Sequence, residues 1–155
     1  MRILSMFTML WLSIFAIPTF ADNTDNSNDT STLTLTLINN SNQTLTYTGS
    51  HDQNQGNKYA ISDPSIKPGA RATITATACY DCYLQGSLNF SDDSKNNATV
   101  SVYVYRGYES REPSFTLQTN AALSLTPKSA TLNTDHKHPK ALSHTAATIE
   151  INTKN

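Results

Sequence analysis

The chain has 155 residues, 15% of them charged and 8% aromatic, with a formal net charge of -1. That is the length of one ordinary domain, and without a basic excess to hold a phosphate backbone it disfavours nucleic-acid binding. Hydrophobic residues are 37% of the whole, but about 15 of them crowd into the amino-terminal stretch, so roughly a third of the remainder is apolar and the core must be thin.

Met1-Arg2 is followed by an apolar run over 3–17 and then Pro18-Thr19-Phe20-Ala21. A basic start, an apolar centre and small residues at the -3 and -1 positions read as a secretory signal peptide cleaved after Ala21. The run falls short of the roughly 20 apolar residues that span a bilayer, and no later run approaches that length. The expectation is therefore a secreted or periplasmic protein, with no transmembrane segment in the mature chain. Residues 22–31 contain only Asp, Asn, Thr and Ser. Such a segment has nothing to offset the entropy of ordering, so it is expected to be a disordered polar leader ahead of one domain over 32–155. Five N-x-S/T sequons occur, at Asn28, Asn39, Asn42, Asn89 and Asn97. A chain this rich in Asn, Ser and Thr is expected to contain about four by chance, so they carry no message of their own.

From Leu33 onward the period is two. Leu33, Leu35 and Leu37 alternate with threonines, and Asn39-Asn40-Ser41-Asn42 punctuates before Leu45 and Tyr47, which predicts a hairpin-like opening. A loop is predicted over 49–57. Lys67-Pro68-Gly69-Ala70 predicts a turn, with Pro fixing φ at the first central position and Gly accepting a positive φ at the second. Ala72, Ile74 and Ala76 then alternate with threonines. Leu84, Gly86, Leu88 and Phe90 mark another strand, and the polar run over 91–97 turns it into a hairpin with Val100, Val102 and Val104. Ser101, Tyr103 and Tyr105 share the other face of that strand. Shorter alternations cover 115–119, 121–125 and 130–134, a polar loop is predicted over 132–142, and the chain closes with Ala147, Ile149 and Ile151 inward and Thr148 and Glu150 outward. About eight short strands, with no convincing helical period, predict an all-β fold: a single antiparallel β-sandwich or small barrel.

Few residues mark chemistry. Cys79-Tyr80-Asp81-Cys82 in an exported chain predicts a structural disulfide between Cys79 and Cys82. A redox pair would need its first Cys at a helix amino terminus, and the flanks here read as strands. His136, His138 and His144 lie among lysines that repel a cation, so no metal is expected there. Ser50, His51 and Asp52 are adjacent, but adjacency is not triad geometry and no G-x-S-x-G elbow accompanies them. Scattered carboxylates, Asp92-Asp93 and Glu109 and Glu112 around Arg111, mark no acid/base pair. Neither an enzyme nor a cofactor is expected. The tyrosines form the one concentration: Tyr80, Tyr83, Tyr103, Tyr105 and Tyr108, with Arg106 among them. Tyrosine joins an apolar ring to a polar tip, which suits a membrane lipid, glycan or protein surface. The plainer use is cross-strand packing.

The order of motifs resembles the aegerolysins, small β-sandwich proteins that bind membrane lipids and recruit a pore-forming partner. The resemblance rests on Leu35-Thr36-Leu37-Ile38-Asn39-Asn40, Ile66-Lys67-Pro68-Gly69, Gln85-Gly86-Ser87-Leu88-Asn89-Phe90 before an aromatic strand, and Ala147-Thr148-Ile149-Glu150-Ile151. It implies a lipid-binding module. The residues themselves point to a non-catalytic exported binding protein, with a subunit that assembles by strand-edge pairing as the alternative.

Overall fold

Strict alternation of apolar side chains with threonine yields strands whose two faces differ in kind, and two such strand sets bury their apolar faces against each other. The computed structural model describes residues 31–53, 56–78, 84–104, 113–135 and 142–154. The signal-peptide and leader expectations over 1–30 lie outside these residues. Ten strands follow in order: β1 (Thr32–Asn40), β2 (Leu45–Asp52), β3 (Lys58–Ile61), β4 (Ser65–Ile66), β5 (Arg71–Thr77), β6 (Leu84–Ser91), β7 (Asn97–Val104), β8 (Ser114–Thr119), β9 (Leu123–Asp135) and β10 (Leu142–Thr153). One sheet has the order β3-β5-β1-β10-β9 and the other β4-β2-β6-β7-β8. Neighbours run antiparallel except β1 and β10, which are parallel, with Thr32 opposite His144 and Asn40 opposite Asn152.

The expected all-β sandwich is the observed fold, with several local corrections. The opening is not a hairpin: β1 pairs with β5 and β10, whereas β2 lies in the other sheet against β4 and β6. The segment between β1 and β2 thus carries the chain from one layer to the other. β2 runs to Asp52, through what the sequence marked as loop, because an extra residue, Thr48, forms a bulge beside Gly49 at φ 142°. A glycine supplies that positive φ without steric cost. The alternations at 121–125 and 130–134 fuse into one strand, β9, which runs to Asp135 and shortens the predicted loop. Pro127 sits opposite Ile149 beside a register shift. β9 is an edge strand, where a missing N–H is tolerated.

The core matches the sequence pattern closely. Leu33, Leu35, Leu37, Ala72, Ile74, Ala76, Ala147, Ile149 and Ile151 face inward from one sheet, and Leu84, Leu88, Phe90, Val100, Val102 and Val104 from the other. The Phe90 ring meets its cross-strand neighbour Tyr47 edge-on, at 5.7 Å between centroids. The predicted β6–β7 hairpin is present with Ser91 opposite Asn97. So is the turn at 67–70: Gly69 has φ 77° and the Ala70 N–H donates to the Lys67 carbonyl at 2.9 Å.

Asn39 is wholly buried and uses every polar group it has. Its amide donates to the carbonyls of Gln43 (2.7 Å) and Ile66 (2.8 Å), and its oxygen accepts from the N–H (3.1 Å) and hydroxyl (2.6 Å) of Ser41. Its own N–H donates to the Ala70 carbonyl, and its carbonyl accepts from the Gly69 N–H. One residue therefore ties the sheet-crossing segment to β4 through its side chain and to the turn that follows through its backbone. A side chain committed in this way is closed to glycosylation in the folded protein, whatever its sequon.

Candidate functional site

The outer face of β6, β7 and β8 holds the one candidate tyrosine that falls among the described residues. Tyr103 lies between Gln85 on β6 and Ser114 on β8 in the strand register. It is half-buried, in a shallow groove of about 110 Å³ whose side-chain walls are Gln53, Gln85, Ser101, Ser114 and Thr116. Gln85 donates through its amide to the side-chain oxygen of Gln53 at 2.6 Å, and the Gln53 N–H donates to the Gln85 carbonyl at 3.1 Å. The groove thus pairs one aromatic ring with amides and hydroxyls, and none of its lining residues is charged. Gln53, Gln85 and Ser114 were not marked as binding residues in the sequence, because only the register places them beside Tyr103.

Tyr80, Tyr83, Tyr105, Arg106 and Tyr108, together with Cys79 and Cys82, lie outside the described residues, as do His136 and His138. The strands that flank them are described. β5 ends at Thr77, β6 starts at Leu84, β7 ends at Val104 and β8 starts at Ser114. The pairings of Leu84 with Val104 and Tyr103 with Ser114 bring the ends of β6, β7 and β8 together, and Tyr59, paired with Ala76 near the end of β5, reaches Gly86 on β6 and sets the end of β5 at the same end of the sandwich. Tyr103 stands at that same end.

Beneath the groove the two sheets come unusually close. Gly86 faces inward, and a Cβ there would meet the Tyr59 hydroxyl from β3 and lie 2.6 Å from the His51 carbonyl oxygen. Tyr59 therefore bridges the layers at a position only glycine can serve. Burial pushes the Tyr59 phenol up to about 12, reinforced by the Asp52 carboxylate and offset in part by the Asn57 side chain.

His51 and Asp52 follow each other on β2, so their side chains leave the strand on opposite faces. Asp52 accepts the N–H groups of Gly56 (2.5 Å) and Asn57 (2.8 Å), the work of a turn cap. His144 is exposed and within 3.0 Å of the Thr32 hydroxyl on the neighbouring strand. Glu150 pairs with Lys128 across β9 and β10 at 3.0 Å. Among the described residues no three His, Cys, Asp or Glu side chains gather as metal ligands.

No protein-family model matches the sequence, and no curated protein is significantly similar to it. The fold has counterparts among solved structures. IP-1A from Alcaligenes faecalis superposes with a TM-score of 0.51 at 13% identity, over 84% of this chain and 96% of that one. The lectin XCL of Xerocomus chrysenteron gives a TM-score of 0.49 at 10% identity, over 79% of this chain and 99% of that one. At such identity the likeness to IP-1A is one of fold.

Proposed function

We propose that the protein is an exported, non-catalytic binding protein that takes a neutral, hydroxyl-rich ligand, foremost a glycan, on the outer face of β6, β7 and β8. The observation that carries this reading is the Tyr103 groove, in which an aromatic ring is set among Gln53, Gln85, Ser101, Ser114 and Thr116 with no charged side chain. A sugar offers the complement: C–H groups that lie on a ring, and hydroxyls that both donate and accept to amides and hydroxyls. The shallow groove fits part of a surface-displayed chain better than an enclosed small molecule. The ends of β5, β6, β7 and β8 beside Tyr103 support extending this face to Tyr80, Tyr83, Tyr105, Arg106 and Tyr108. The two-sheet fold also supports the aegerolysin-like reading, under which a lipid headgroup takes the place of the glycan.

The test is binding of the folded protein to an array of immobilised glycans, repeated with Tyr103→Ala and Tyr103→Phe. Loss of the ring is expected to weaken binding about tenfold or more, and loss of the hydroxyl alone to cost less. Unchanged binding by a folded Tyr103→Ala variant refutes this face as the site. Silence on the array with selective pelleting on sphingolipid liposomes moves the ligand to the headgroup. Concentration-dependent oligomers with neither activity favour the assembly subunit.

A further inference from the structure

The other end of the sandwich carries a second cleft, of about 330 Å³, where the β1–β2, β6–β7 and β8–β9 connections meet the end of β10. Its volume falls at the lower edge of the range for small-molecule sites. Its polar wall is Asn42 and Gln43, Ser94 and Asn96, and Asn120. Ala121, Ala122 and Leu123 give it an apolar floor.

The polar wall is held in place by a set of internal bonds. Asp92, only 6% exposed, accepts the N–H groups of Ser94 (2.9 Å) and Asn96 (2.8 Å) on one oxygen and the Asn96 side-chain amide (2.9 Å) on the other. These bonds hold its carboxyl below the usual carboxylate range, the Asn96 side chain contributing most. The same bonds use one N–H of the Asn96 side-chain amide and fix its orientation. The Asp93 carboxylate accepts the Thr44 N–H at 2.7 Å and so locks the β6–β7 turn to the β1–β2 segment. The Asn42 N–H donates to the Thr153 hydroxyl at 3.3 Å, that hydroxyl donates to the Asn42 side-chain oxygen at 3.4 Å, and the Lys154 N–H donates to the Ala122 carbonyl at 2.8 Å. Three connections are thereby fixed relative to one another before any ligand arrives. Asn120 stands exposed at the start of the β8–β9 connection.

We propose that this cleft is a second binding site, for a single neutral polyol unit such as the terminal sugar of a glycan. Amides and a hydroxyl on a rigid frame satisfy neighbouring sugar hydroxyls without first breaking internal bonds, and the Ala-Ala-Leu floor accepts the C–H face of a ring. The one ionised lining residue, Asp92, already accepts three hydrogen bonds from Ser94 and Asn96, so its oxygens are committed to the frame. The site stands independently of the Tyr103 groove, at the far end of the same strands. Two sites at opposite ends make one chain bivalent, able to bridge two glycan-bearing surfaces without forming an oligomer.

The test is a backbone-amide NMR titration of the folded, ¹⁵N-labelled protein with glucose, galactose, mannose, fucose and N-acetylglucosamine in turn. At least one sugar is expected to shift the amides of Gln43, Ser94, Asn96 and Ala121 together. The pair Gln43→Ala and Asn120→Ala, which removes two surface amides and no internal bond of the frame, is expected to weaken that binding about tenfold or more. Tyr103→Ala is expected to leave it unchanged. The proposal is overturned if none of these sugars moves those amides, or if the shifts persist undiminished in the double variant. Shifts confined to the surroundings of Tyr103 overturn it too, while upholding the first site.

Discussion

Gly86→Ala is the sharpest test of how the two sheets meet. The added methyl would collide with the hydroxyl of Tyr59 and lie 2.6 Å from the His51 carbonyl oxygen and 3.0 Å from the Tyr59 ring carbon that bears the hydroxyl. Neither obstacle yields easily. The phenol is a rigid group packed against the core, and the carbonyl belongs to the β2 backbone paired with β6. Forcing one carbon into a filled site costs about 1–3 kcal/mol, and a backbone obstacle places this case at about 3. For a domain of this size such a loss lowers the melting temperature by about 10 °C, which thermal unfolding by circular dichroism reads directly. Tyr59→Phe removes the hydroxyl but leaves the carbonyl. In that background Gly86→Ala is therefore expected to cost less, but not nothing, giving a coupling of about 1 kcal/mol between the two positions. A Gly86→Ala protein that melts within about 2 °C of the parent refutes the close approach of β3 to β6.

Three further outcomes follow from the same interior. Tyr59 ionises at about 12 in the folded protein against 10.0 for an ordinary tyrosine, so the unfolded chain loses its proton first. Stability is thus expected to fall as pH rises from 10 towards 12, and urea titrations should show a shallower fall for Tyr59→Phe. Asn39→Asp replaces two donors with an acceptor facing the carbonyls of Gln43 and Ile66, and is expected to cost about 4 kcal/mol by denaturant unfolding; a loss under about 1 kcal/mol refutes the hub. Because Asp92 has its folded pKa lowered, the stability it contributes is present above its ordinary value of 3.8 and disappears as pH falls through the folded value. Asp92→Asn is expected to be less stable at neutral pH and to show a shallower acid limb, and an unchanged acid limb refutes the assignment.

The strand faces were legible because alternation is a local signal. Leu33, Leu35 and Leu37 alternate with threonine, the three valines of β7 share one face and Ala147, Ile149 and Ile151 were read as inward; all nine are buried. The Pro-Gly turn at 67–70 was equally plain, since its φ angles are set by the two residues themselves. Partnership was less legible. Asn39-Asn40-Ser41-Asn42 has the composition of a hairpin turn, yet it crosses between sheets, because Asn39 finds its partners at Ile66 and Ala70 rather than across a hairpin. The two short alternations of β9 read as separate strands because Pro127 lies between them, and only an edge position beside a bulge makes that proline compatible with a single strand.

By itself, then, the sequence determined the class of fold, the inward face of most strands and the hairpin of β6 with β7, all consequences of side-chain period and of residues that fix their own dihedrals. The tertiary structure decided what depends on residues far apart in the chain: the parallel union of the first and last strands, the layer each strand joins, and the company of each candidate residue. Gln53 and Gln85 come to Tyr103, and Asn42 and Asn120 to Asn96, through strand pairing and the ends it aligns. Period-two alternation orients a side chain to one face or the other, but it carries no information on which strand lies alongside.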